Sequence, residues 1–279
     1  MMLKKTFLKF YLFILPFSAC QKNESSVPPR DVQVQTIEDN EALVTYLQTH
    51  FYNYHDFEND PDNHKIEISL DSLTDKNSDK IALWDQVVTK FVDTEDSDQN
   101  IVEHKLYYLI VKKGLGSMPS SVDSTFVSYK GSLLNGDVFD DRDYPIWFDL
   151  VNVVRGFRES LPEFNEGNFT INKDGTFDFD NYGKGLIFMP SALGYYSSAN
   201  SNIPAYSPLI FSVNLHRVNH SDHDRDGVLS IKEDINGDGN PLNDDTDGDG
   251  LPNMNDFDDD GDGIPTFNEL DKDKDGIPD

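Results

Sequence analysis

Residues 127–141 read VSYKGSLLNGDVFDD: an aromatic and β-branched run that stops at a turn and then starts again. The run belongs to a longer strand-like stretch, STFVSYKGSLL (124–134), and it has companions. KLYYLIVKKG (105–114), KGLIFMP (184–190) and PLIFSVNLHRV (208–218) share its composition and are likewise bounded by turn residues. One short helical pattern, VVRGFRESL (153–161), interrupts them. Several antiparallel strands and one helix predict an α+β domain over residues 103–219, with the helix packed on the sheet. Between the helix and the next strand, NEGNFTINKDGTFDFDNYG (165–183) alternates Phe169, Ile171, Phe177 and Phe179 with polar residues around NKDG, the pattern of a β-hairpin.

Upstream, residues 32–102 read as a small mixed segment. Leu43, Val44, Leu47 and Phe51 recur at helical spacing over Thr36–Phe51, and Thr36 with Asp39 resembles a capping box at its start. HKIEISL (64–70) reads as a strand, and DKNSD (75–79) and DTEDSDQN (93–100) as loops. The first nineteen residues read as an export signal: Lys4, Lys5 and Lys9 precede the apolar FYLFILPF, too short to stay in a bilayer as a span. FSAC (17–20) resembles the lipobox of bacterial lipoproteins, with Phe17 where Leu is usual. That implies cleavage before Cys20, lipidation of its thiol, a polar tether over 20–31, and residence in the bacterial cell envelope on either face of the outer membrane. Cys20 is the only cysteine, so no intramolecular disulfide can form.

Four ordered blocks resemble the FKBP-type peptidyl-prolyl cis–trans isomerases. VSYKGSLLNGDVFDD is similar to the family's strand and turn, VVRGF (153–157) to its helix start, MPSALGYY (189–196) and IPAYSPLIFSVNL (203–215) to its later loop and strand. The resemblance implies an antiparallel FKBP-like sheet wrapped on the short helix. It also implies a prolyl pocket lined by Tyr129, Phe139, Phe148, Val153, Val154, Phe157, Tyr195, Ile203 and Phe211. In that reading Phe157, where the family commonly has Trp, is the floor. The Tyr195 hydroxyl donates to substrate, Asp140 is a carboxylate at the rim, and the Val154 N–H receives a substrate carbonyl.

The chemistry fits such residues. Rotation about a peptide bond faces about 18–20 kcal/mol because resonance must be broken, and for X–Pro it is slow. A dry aromatic pocket that strips water from the carbonyl favours the twisted amide. No cofactor is expected for catalysis, and X–Pro bonds of exported polypeptides are the expected substrates. The rival reading is a non-catalytic surface lipoprotein that docks peptides or adheres, with a calcium-stabilised stalk.

Charge separates the last fifth of the chain from the rest. The net charge is −28, and residues 222–279 hold 20 acidic against 4 basic residues, a net of −16. Such a surface repels phosphates and argues against nucleic acid as a partner. DHDRDGVLSIKE fits a twelve-residue calcium loop, with Asp222, Asp224 and Asp226 alternating, Gly227 sixth and Glu233 last. The pattern recurs over 220–279. Asp234, Asn236 and Asp238 precede Gly239; Asp245, Asp247 and Asp249 precede Gly250, with Asn253 and Asp256 following. Asp258, Asp260 and Asp262 precede Gly263 and end at Glu269; Asp271, Asp273 and Asp275 precede Gly276. Starts 11–13 residues apart leave no room for EF-hand helices. DTDGDGLPN and DGDGIP resemble thrombospondin type 3 repeats, which implies an irregular region wrapped on structural Ca²⁺. His216, His220 and His223 lack the companion Cys or Glu spacing of a zinc site.

Overall fold

Alternation along three neighbouring strands decides where the core sits, because successive strand residues face opposite sides. The computed structural model describes residues 28–59 and 65–273. In chain order it forms α1 (Val32–Thr49), β1 (His50–Tyr52), α2 (Tyr54–Asn59), β2 (Leu70–Ser72), β3 (Val88–Glu95) and β4 (Ile101–Lys112). There follow β5 (Ser124–Leu133), β6 (Val138–Asp149), α3 (Arg155–Ser160), β7 (Asn168–Ile171), β8 (Phe177–Asp180), β9 (Gly183–Met189), β10 (Leu209–Asn219) and α4 (Thr266–Leu270). Six strands form one antiparallel sheet in the order β3-β4-β9-β10-β5-β6.

On one face Leu106, Ile187, Met189, Leu209, Phe211 and Val213 pack against Phe157 of α3 and Leu161. On the other, Tyr107, Leu109, Leu186, Phe188 and Ile210 pack against Leu43 and Leu47 of α1. Both faces of the central strands are therefore covered, and β9 is buried along its whole length. The sheet extends beyond the β-rich stretch read from Glu103: its edge strand β3 comes from residues 88–95, and β4 begins at Ile101.

The helix α1 begins at Val32, ahead of the start read at Thr36. Asp31 is its cap, accepting from the backbone N–H groups of Gln33 (2.9 Å) and Val34 (3.1 Å). Thr36 lies inside the helix and its hydroxyl donates to the Val32 carbonyl, so no capping box forms there. Of HKIEISL only Leu70 enters a strand, and His64 lies outside the described residues. In DTEDSDQN, Asp93–Glu95 continue β3, and Asp96 closes the turn by accepting from the N–H groups of Asp98 and Asn100. β7 and β8 pair as the expected hairpin, with Phe169 opposite Phe179 and Ile171 opposite Phe177.

The acidic region after Asn219 has short 3-10 turns and α4 but no sheet among the described residues. It is tied to the sheet domain at buried Asp123, whose carboxylate meets His220 Nδ1 and accepts from the Ser221 N–H, both at 2.9 Å. Among the described residues no helix is long and apolar enough to cross a membrane.

Candidate functional site

The turn of the opening stretch aims β6 back along β5. Gly136 takes φ +88°, and the Leu133 N–H bonds to the Asp137 carbonyl. The returning strand sets Asp140 opposite Gly131 and Arg142 opposite Tyr129. Gly131 explains itself: a Cβ there would lie 2.5 Å from two ring carbons of Phe139 and 3.0 Å from Phe211. Its absence lets Phe139 lie across the strand against Phe211, ring centroids 5.5 Å apart.

A cavity of about 640 Å³ opens at this place, and all ten residues read from the sequence line it. Phe157, delivered by the first turn of α3 and only 3% exposed, is met edge-on by Tyr129 (6.1 Å), Phe148 (6.1 Å) and Phe211 (5.4 Å). Edge-to-face packing of this kind holds flat apolar walls apart at a fixed spacing. Ile203 closes one side from a loop that Asn200 fastens, its side-chain oxygen accepting from the N–H groups of Asn202 and Ile203.

The polar groups stand at the rim. The Tyr129 hydroxyl donates to Asp140 Oδ2 at 2.5 Å, and Arg142 Nε sits 3.5 Å from Asp140 Oδ1. Burial, reinforced by the Asp140 carboxylate, pushes the Tyr129 phenol up to about 12, so it remains a donor throughout the neutral range. Tyr195 is 40% exposed, and among the described residues neither its hydroxyl nor the backbone N–H of Val154 makes a hydrogen bond. Arg142, Asn152, Ser201 and Asn202 also line the cavity and were not read from the sequence. Only the two-residue step from Asp140 to Arg142 along a strand could have signalled the first of them.

These features coincide with a family match. Residues 116–216 match the family model described as FKBP-type peptidyl-prolyl cis-trans isomerase. The same stretch is similar to named proteins. FkpA of Escherichia coli K12 is 32% identical over 113 residues, 39% of this chain and 36% of that protein. FkpA of Aeromonas hydrophila is 27% identical over 157 residues, covering 54% and 53%. The peptidyl-prolyl cis-trans isomerase Mip of Chlamydia muridarum is 28% identical over 136 residues, covering 47% and 49%. The chain thus spans between a third and about half of the length of these relatives. Among solved structures, that of E. coli FkpA matches at 29% identity and TM-score 0.35, covering 46% of this chain and 51% of that one. Outside that stretch, residues 223–279 match a model described as BamM C-terminal.

In that acidic region the glycines at the sixth loop position, Gly227, Gly239, Gly250 and Gly263, all take positive φ, between +86° and +97°. Cys20, Asp275 and Gly276 lie outside the described residues. Three carboxylate groupings form: Asp224, Asp226 and Glu233 with Asp259; Asp245, Asp247 and Asp249; Asp258, Asp260 and Asp262. The remaining candidates do not join them. Asp222 accepts from the N–H groups of Arg225 and Gly227, and Asp234 from those of Gly237, Asp238 and Gly239. Asn236 accepts from the Asp238 N–H, Asp238 from that of Asn240, Asn253 from that of Thr246, and Asp256 from that of Asp258. Glu269, Asp271 and Asp273 belong to none of the three.

Burial, then neighbouring carboxylates, push Glu233 up to about 8 and Asp259 to about 6. These are acids held where their charge is disfavoured. His216, His220 and His223 each engage a separate partner, respectively Ser128, Asp123 and Ser230, and do not converge.

Proposed function

We propose that the protein is a peptidyl-prolyl cis–trans isomerase acting on X–Pro bonds of exported polypeptides, anchored to the membrane through lipidated Cys20. The observation that carries the catalytic reading is the ring cage around Phe157, with donors only at its rim. A proline ring entering the cage leaves water, and its preceding carbonyl loses the solvent hydrogen bonds that favour the planar, charge-separated amide. The Val154 N–H and the Tyr195 hydroxyl, uncommitted among the described residues, can then hold the flanking substrate carbonyls while the bond turns. Asp140 keeps the Tyr129 hydroxyl oriented. No bond is broken, so nothing in the cavity must act as nucleophile, acid or base.

The anchor rests on FSAC and the basic and apolar residues before it. The acidic repeats read as loops for Ca²⁺, a hard cation that takes six to eight oxygen ligands; their support is the alternating aspartates and the positive-φ glycines at the sixth positions.

The test is isomerisation of a short X–Pro peptide by the purified chain. Acceleration over the uncatalysed rate that disappears in Phe157→Ala, with the fold intact by circular dichroism, is the expected result. A wild-type protein that binds the peptide without accelerating it would mean a docking module instead.

A further inference from the structure

Three of the four carboxylates in the first acidic grouping come from one loop, and the fourth does not. Asp224 and Asp226 lie early in the loop that Glu233 ends, while Asp259 arrives from the fourth repeat. One oxygen from each lies within 4.8 Å of all the others. That is the span of oxygens placed around one ion at about 2.3–2.6 Å. Asp226 is 1% exposed and Glu233 2%. Among the described residues Asp224 Oδ2, Asp226 Oδ2, both Glu233 carboxylate oxygens and Asp259 Oδ1 are buried without any hydrogen-bond partner. No lysine, arginine or histidine of the described residues forms an ion pair with any of the four. Burying one unpaired carboxylate is costly, and two buried ones faced by two half-buried ones are far more so. Water cannot resolve it, since repulsion between the charges would persist.

We infer that Asp224, Asp226, Glu233 and Asp259 together hold one calcium-sized divalent cation, and that Asp259 makes this ion a clasp between the first and fourth repeats. The inference rests on the calcium reading of the tail and goes beyond it. Independent loops would bind their ions one by one, whereas a clasp joins distant chain segments at a single point. Apolar packing offers little substitute, since Met254 is the only large apolar side chain of the described tail that is fully buried. The ligands are all carboxylate oxygens, which suits a hard cation and not a thiophilic one.

The experiment uses the full chain, stripped with chelator and titrated with CaCl₂, read by calorimetry and limited proteolysis. Wild type, Asp259→Asn and, as a control in a separate grouping, Asp247→Asn are compared. Asp259→Asn removes a charge without changing shape, so the two conditions should move in opposite directions. In calcium it should weaken the tightest site tenfold or more and expose the tail between repeats. In chelator, with repulsion relieved, it should protect the tail as well as wild type or better. Asp247→Asn should leave the tightest site unchanged. Equal loss of protection by Asp259→Asn in both conditions would make Asp259 a structural residue and overturn the clasp. Unchanged calcium affinity in Asp259→Asn would overturn the clasp while leaving the calcium reading standing. A wild-type chain with no calcium response would overturn both.

Discussion

The Asp39 carboxylate, inside α1, accepts two hydrogen bonds from Ser191, one from its backbone N–H at 2.7 Å and one from its hydroxyl at 2.6 Å. Ser191 begins the loop that carries Tyr195 to the cavity, so a helix outside residues 116–216 holds part of the rim. Asp39 is 2% exposed, and burial raises its pKa. Asp39 also accepts from the buried Gln35 side-chain amide at 2.8 Å, so Asp39→Ala leaves three buried donors without their acceptor and should cost at least about 1–3 kcal/mol. A lowered melting temperature together with a raised KM for peptide is the expected pair of results; a change in stability alone would remove the link to the rim.

Within the cavity the two aromatic residues should separate binding from structure. Tyr195→Phe deletes one exposed hydroxyl, worth about 0.5–1.5 kcal/mol, or roughly twofold to tenfold in kcat/KM, at unchanged stability. Phe157→Ala should cost about 3–5 kcal/mol of stability in addition to activity. Urea unfolding beside the peptide assay measures both.

Gly131 offers a test of crowding. Gly131→Ala places a methyl group 2.5 Å from the Phe139 ring. Since the ring must tilt into the cavity or the strands must part, about 1–3 kcal/mol should be lost. Peptide turnover should fall further than stability explains, as compared by assay at a temperature well below the transition.

Acid should weaken the domain through buried histidine. His104 is fully buried, with Thr36 at 3.0 Å from Nδ1 and Thr94 at 2.8 Å from Nε2; burial, aided by the Arg155 charge, holds its pKa down to about 4. The unfolded ring titrates near 6.5, so below that pH only the unfolded chain gains a proton. The stabilisation is present above about 6.5 and is lost as pH falls towards 4, on the order of 3 kcal/mol over the interval. His216, also held near 4 by burial, adds in the same direction. Denaturant unfolding at pH 7.5 and 4.5 should show a smaller loss in His104→Gln than in wild type.

For the anchor, Cys20→Ser should release the protein from the membrane fraction and abolish incorporation of labelled lipid. Unchanged fractionation would count against lipidation.

The lining of the cavity was legible because the motif blocks that resemble the isomerase family carry its residues in order, and strand packing asks for the same aromatic and apolar types. Tyr129, Phe139 and Phe211 therefore stand out in any reading of their strands. The edge strand β3 was not, since Val88 and Phe91 face solvent and of its side chains only Val92 is fully buried. The true start of α1 was hidden because Asp31 lies in what reads as polar tether. Asp259 escaped for a geometric reason. Loop spacing selects alternate positions, and Asp259 falls between two of them, directed at a different loop. No rule of local spacing contains a ligand shared between distant repeats.

The chain enters the fold beside the cavity. Arg30 donates its backbone N–H to the Tyr206 hydroxyl at 3.0 Å, and its carbonyl accepts from the hydroxyl of Tyr196, the neighbour of Tyr195. Ten peptide units separate Cys20 from that clamp, a span of at most about 36 Å for any chain of that length. With lipid on Cys20, the cavity mouth could never wander farther from the bilayer than roughly the bilayer's own thickness. Its clients would then be selected by place before chemistry: polypeptides just emerging from, or lying along, that one surface.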